Sequence, residues 1–173
     1  MIKLEDKGYL RKAAVDDAKT LATWWATGEI MAHAGFPQGI KTDIAQLEDR
    51  LRHQENNCLW IIEDENHCPI GEMNHTIKGS RATLGIKICV LKKQGQGIGK
   101  IALKSLIKHL FDTYSINEIW LDTMIENTHA QHVYTTLFFE KLRVNKNVWR
   151  DQLGHLRTSV EFILTKENYQ KYY

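Results

Sequence analysis

Proline is nearly missing from this 173-residue chain, with Pro37 and Pro69 its only two examples. No proline-rich, glycine/serine-rich or low-complexity stretch interrupts it, and no internal repeat or long charge block is present. A flexible linker between domains has nowhere to sit, so residues 1–173 read as one domain. Apolar runs are short as well, and none approaches the roughly 20 residues of a membrane-spanning helix. The opening MIKLEDKGYLRK lacks the apolar region of a signal peptide. A cytoplasmic protein without membrane contact is expected.

Cysteine is sparse. Cys58, Cys68 and Cys89 cannot all pair with one another and form no C-x-x-C, so they read as free thiols in a reducing compartment. An excess of charge is also missing: the formal net charge is +2 with both signs mixed, which is no footprint for nucleic acid. Eight histidines are present, but no H-E-x-x-H or Cys/His cluster accompanies them, and no metal site is expected. His129 and His132 share a predicted helical face and read as surface residues.

What is present is a clear alternation of periodicities. LRKA reads as a short strand and AVDDAKTLATWWATGEI as a helix, with Asp16 and Asp17 as candidate caps and Leu21, Trp24 and Trp25 on its apolar side. HAGFPQGI breaks the pattern before a second helix in DIAQLEDRLRHQ. CLWIIED and PIGEMNHTI read as a hairpin, and ATLGIKICV as a strand with Leu84, Ile86, Ile88 and Val90 on one face. GKIALKSLIKHLFDTY carries Leu103, Leu106, Ile107, Leu110 and Tyr114 on one helical stripe. INEIWLDTMI reads as a strand, NTHAQHVYTTLFFEKL as a helix, and VNKNVWRDQ and HLRTSVEFIL as two closing strands. The expected fold is α/β (α+β): a mixed, mostly antiparallel sheet of about seven strands, a central parallel β-α-β crossover and about four helices.

Between the third predicted strand and the central helix lies KKQGQGIGK. Gly95, Gly97 and Gly99 place bare backbone at a helix N-terminus, where unpaired N–H groups and the helix dipole suit a phosphate. A Walker A loop fails at Gln94 and Ile101. The Rossmann fingerprint fails at Lys100 or Ala102, depending on where it starts. Gln-x-x-Gly-x-Gly remains, spanning Gln94, Gly97 and Gly99; a glycine-rich turn that binds nothing is the plain alternative.

QGQGIG, with the strand before it and the helix after it, resembles the coenzyme-A loop of the GNAT superfamily of N-acetyltransferases. LRKAAVDDA resembles the family's first strand and turn, and PIGEMNHTI its third strand. IENTHAQHVYTTLFF is similar to the segment N-x-x-A-x-x-x-Y-x-x-x-G-F, matched at Asn127, Ala130, Tyr134 and Phe139. The likeness spans nearly the whole chain and is strongest to the branch of ribosomal-protein alanine and spermidine acetyltransferases. Two departures stand out. Phe138 replaces the family's usual glycine, so the turn there is expected to differ. Thr83 stands where many relatives carry an acidic residue.

The resemblance implies acetyl-coenzyme A as cofactor and transfer of its acetyl group to a primary amine, of a small molecule or a peptide N-terminus, by direct attack in a ternary complex. Gln94, Gly95, Gln96, Gly97, Ile98, Gly99 and Lys100 would hold the diphosphate. Backbone around Ile88, Cys89 and Val90 would pair with the pantetheine arm, and Asn127 would hydrogen-bond the cofactor, with Ala130 also at its site; a helix cap is the ordinary alternative for Asn127. Tyr134 would protonate the departing thiolate; a tyrosine that merely packs its ring is the ordinary alternative. Glu72 and Asp122 are both candidates for the base that takes the amine's proton. The acceptor would meet Trp24, Trp25, Glu29, Met31, His33 and Phe36, with Trp149 across the groove. A second reading is a non-catalytic acyl-coenzyme-A sensor on the same scaffold. Family members are often dimers, so a homodimer is one of the states open to this chain.

Overall fold

Alternation gives a strand two faces, and a strand that is apolar at consecutive positions, as in CLWIIE, has to bury both. The computed structural model describes every residue, Met1–Tyr173. Its strands are β1 (Ile2–Lys3), β2 (Tyr9–Lys12), β3 (Asn57–Glu63), β4 (Pro69–Lys78), β5 (Arg81–Ile88), β6 (Glu118–Met124), β7 (Glu140–Arg150) and β8 (Leu156–Thr165). They form one sheet in the order β1-β2-β3-β4-β5-β6-β8-β7. Only β5 and β6 run parallel; all other neighbours are antiparallel. The helices are α1 (Ala18–Trp25), α2 (Gly28–Met31), α3 (Ile44–Arg52), α4 (Ile98–Thr113), α5 (Thr128–Thr136) and α6 (Lys166–Tyr172).

In β3, Leu59 and Ile61 face one side, where they pack with Leu21 of α1 and Leu47 and Leu51 of α3. Trp60 and Ile62 face the other, in the larger core with Leu103, Leu106, Ile107 and Leu110 of α4. The three- and four-residue spacing of those α4 side chains keeps one stripe against the sheet over about 10 Å of helix. β5–α4–β6 is the parallel crossover expected from the sequence.

Eight strands and six helices exceed the seven and four read from the sequence. β1 has two residues and α2 four, too short for any period to register. α6 forms in the tail, where Tyr169 stacks on Phe111 with ring centroids 4.4 Å apart. Asp17 does not cap α1; its side chain accepts two hydrogen bonds from the Arg11 guanidinium and one from Ala14 N–H, which caps the short 3-10 turn Val15–Asp17 just before that helix.

The turn after α5 corrects a further expectation. Phe138 sits in the left-handed region at φ 61, and Phe139 N–H donates to Tyr134 O at 3.1 Å. A glycine would adopt this helix-ending conformation freely. Phe138 adopts it without that freedom, its ring stacked on Tyr172 at a centroid distance of 4.4 Å.

Candidate active site

β5 and β6 begin as neighbours and then part. Their pairing covers Arg81–Thr83 against Glu118–Trp120 and stops. Each strand continues on its other partner, β5 with β4 as far as Ile88 and β6 with β8 as far as Met124. A cleft of about 1270 Å³ opens in the wedge, lined by Leu84, Gly85, Ile86, Lys87 and Ile88 on one side and Asp122, Thr123 and Met124 on the other. The free edge of β5 offers backbone donors and acceptors to an extended chain, as any unpaired strand does.

The glycine loop closes one end of this wedge. Gly95 and Gly97 hold φ 72 and φ 80, and Gly97 is the residue from which α4 springs. No side chain caps that helix. The nearby amides are turned elsewhere: Gln94 Nε2 donates to Ile88 O at 2.8 Å and Gln96 Nε2 to Lys92 O at 2.7 Å. A Cβ built on Gly95 or Gly97 would meet nothing within 4 Å, so the space before the loop is open and glycine is needed for its left-handed backbone. Uncapped N–H groups at the head of a sixteen-residue helix suit a diphosphate. Lys93 and Lys100 line the same end and add positive charge; Lys93 Nζ is steadied by Asp64 Oδ2 at 3.0 Å. The coenzyme-A diphosphate fits these residues.

Asn127 precedes α5 and caps it, its Oδ1 accepting from Ala130 N–H at 3.1 Å. Asn127, Ala130, Val133 and Tyr134 all line the cleft. Tyr134 is 6% exposed, its ring edge-on to Phe162. Burial, and then the charge of Asp122, push its hydroxyl up to about 12. Asp122 opens onto the concave cleft yet is walled by protein. This desolvation, with Glu161 opposite it across the β6–β8 pair, raises its pKa above the usual carboxylate value.

Three sequence expectations meet different surroundings. Cys89 and Val90 both donate their N–H to Ile70 O, at 2.8 and 3.0 Å. Their amides are therefore spent, and the free strand edge lies earlier, over Leu84–Ile88. The Cys89 thiol is buried and pushed up to about 12 by that burial and by Glu72, which leaves it no thiolate for nucleophilic work. Glu72 is 2% exposed and is not among the cleft's lining residues. Its Oε1 accepts from Trp25 Nε1 at 2.8 Å and from Lys87 Nζ at 3.3 Å, so it serves to fasten α1 and Lys87 to the sheet.

Of the residues expected at the acceptor end, Glu29, His33, Phe36 and Trp149 line the cleft. Trp24 and Trp25 pack instead against the α1–α3 core, and Met31 is buried. Helical spacing places an apolar residue on a face but does not say which core that face meets. Asn74, Gln152 and Ser159 also line the cleft. No spacing in the sequence marks them, because strand pairings and turn contacts far apart in the chain bring them there.

A family model described as an acetyltransferase (GNAT) domain matches residues 9–140. The fold is that of the spermidine N-acetyltransferase from Vibrio cholerae, whose crystal structure is in complex with CoA and spermine. The TM-score is 0.86 at 18% identity, covering 96% of this chain and 99% of that one. A GNAT-family acetyltransferase from Streptococcus pneumoniae superposes with a TM-score of 0.78 at 17% identity, over 91% and 98% of the two chains. In sequence, the spermine/spermidine N(1)-acetyltransferase of Bacillus subtilis is 40% identical over 47 residues, 27% of this chain. That match spans 31% of the curated relative's length. With most of its length matched by the family model and its loop, split strands and α5 in one cleft, the chain belongs to the GNAT acetyltransferase family, whose acyl donor is acetyl-coenzyme A.

Proposed function

We propose that the protein is an acetyl-coenzyme-A-dependent N-acetyltransferase acting on a primary amine of a small molecule or a peptide N-terminus, by direct attack within a ternary complex. One observation carries the reading: a helix head without a cap, a strand edge without a partner, and Tyr134 and Asp122 all open onto one cleft. When bound, acetyl-coenzyme A supplies the activated acetyl thioester. The amides at the head of α4 take the diphosphate, and the free edge of Leu84–Ile88 aligns the extended arm. A strand N–H on that edge is the donor for a developing oxyanion.

Asp122 is the base we favour over Glu72, which is committed to Trp25 and Lys87. A carboxylate whose pKa is raised is a better acceptor for the ammonium proton, which is held with a pKa near ~10. Tyr134 keeps its proton throughout the neutral range, with a hydroxyl pushed up to about 12. It serves as a hydrogen-bond donor that steadies negative charge on the leaving sulfur. Glu29, His33, Phe36 and Trp149 receive the acceptor. The relatives named for spermine and spermidine put polyamines first among candidates.

The test is an amine-panel assay that follows free thiol released from acetyl-coenzyme A, over polyamines, peptides, aminoglycosides and amino acids. Thiol release with at least one class is expected. Coenzyme-A binding by calorimetry with silence across the panel would leave the acyl-coenzyme-A sensor in its place. Absence of both would end the reading.

A further inference from the structure

The acceptor end of the cleft is formed by two segments more than a hundred residues apart, and Gln152 hydrogen-bonds one to the other. Gln152, in the turn between β7 and β8, makes three hydrogen bonds to the loop between α2 and α3. Its backbone N–H donates to Gly35 O at 2.9 Å. Its Nε2 donates to Gly39 O at 2.9 Å, and its Oε1 accepts from Gln38 N–H at 2.8 Å. The amide group therefore faces a backbone acceptor with its nitrogen and a backbone donor with its oxygen. No other side chain matches both demands at that length, since a carboxylate only accepts, a lysine only donates and an asparagine is one carbon shorter.

The two segments are held elsewhere in ways that make this contact a setting of distance. Trp149 packs its ring on Gly35, where an added Cβ would fall 2.3 Å from ring carbons, at a backbone φ of 89. The β7–β8 turn is stiffened from within by the buried Asp151. Its Oδ1 accepts from Leu153 and His155 N–H, both at 2.9 Å, and its Oδ2 from Arg157 at 2.7–2.8 Å. A rigid turn thus grips a loop that carries Phe36 and continues from the segment bearing Glu29 and His33, and Trp149 and Gln152, seated against that loop, line the same end of the cleft.

We infer that Gln152 is a positioning residue for the acceptor: its three hydrogen bonds clasp the α2–α3 loop to the β7–β8 turn and fix the width of the mouth through which the amine enters. The proposal rests on the acetyl-transfer reading for its kinetic consequence only. The clasp itself is a property of the free protein.

Two measurements on the full chain separate these. The first is residue-resolved amide exchange of wild type and of Q152A and Q152E. The Gln38 amide should exchange at least tenfold faster in Q152A, which has no side-chain acceptor. In Q152E the Gly39 carbonyl faces a carboxylate, and exchange in the 35–39 loop should also quicken although side-chain volume is kept. The second is initial-rate kinetics with acetyl-coenzyme A and spermidine as acceptor probe. Both variants should raise the KM for spermidine about tenfold, equivalent to about 1.4 kcal/mol, with the KM for acetyl-coenzyme A changed less than about twofold and the melting temperature nearly kept. Unchanged exchange at Gln38 overturns the clasp. Faster exchange with an unchanged spermidine KM overturns its positioning role, and so does an equal rise in both KM values. If wild type does not acetylate spermidine, the same kinetics are read with the panel amine that it does acetylate. Silence across the whole panel overturns the positioning role together with the proposed function, and the exchange result decides the clasp in either case.

Discussion

In the proposed reaction Tyr134 and Asp122 divide the chemistry, because their surroundings push the same property to opposite uses. Burial keeps the phenol protonated, and a walled cleft makes the carboxylate more basic than its kind. Y134F should reduce turnover by roughly 10²–10³ while calorimetry finds coenzyme-A affinity within a few-fold of wild type. If the loss lies in affinity instead, the ring and not the hydroxyl is what matters. Asp122 works ionised, so activity should fall as pH drops through its raised pKa, above the ordinary ~3.9 of an aspartate. D122N should lower the rate and flatten that acid limb; an unaltered profile would reassign the base. Asn127, Ala130 and Tyr134 were legible in the sequence because the resemblance to the family's segment rests on a short stretch, α5 and the residue that caps it. The different fates of Glu72 and Asp122 were not legible. Both are acids on strands, and only the pairing of β4 with β5, and the parting of β5 from β6, separates a buried fastener from a residue open to the cleft.

Among the elements, the turn that ends α5 shows how a residue can break a local rule and be held by a distant partner. Phe138 keeps a left-handed backbone that costs about 1–2 kcal/mol for a residue with a side chain, and its ring packs on α6. The two contributions separate by substitution. F138A loses the stack and keeps the backbone cost; F138G loses the stack and sheds the cost. The glycine variant should therefore be the more stable of the two by about 1 kcal/mol in urea unfolding. The reverse order would mean that the backbone is not under that constraint. The sequence marked the missing glycine but could not indicate the compensation. ENYQKYY carries no apolar stripe of its own, and its tyrosines acquire a role only when Phe111 and Phe138 are brought beneath them.

For the whole molecule, pH acts on the core as well as on the site. His75 of β4 is fully buried beneath α4, its Nδ1 accepting from Trp60 Nε1 at 2.9 Å. Burial, with Lys12 and His109 nearby, lowers its pKa to about 4. The unfolded chain takes up this proton near pH ~6.5, so the folded state binds fewer protons in the interval between. The stabilising contribution is complete above pH ~6.5 and is lost as pH falls towards about 4. Urea denaturation at pH 7.5 and pH 5 should show the drop, and H75F should make it shallower; an equal drop in both proteins would place its origin elsewhere.

The parted strands have one more consequence at this scale. The glycine loop and α5 approach the wedge from the side of the sheet covered by α4, whereas the α2–α3 loop approaches from the side covered by α1. In the proposed reaction, donor and acceptor would then enter the opening from opposite faces of the sheet, so that neither blocks the other's corridor.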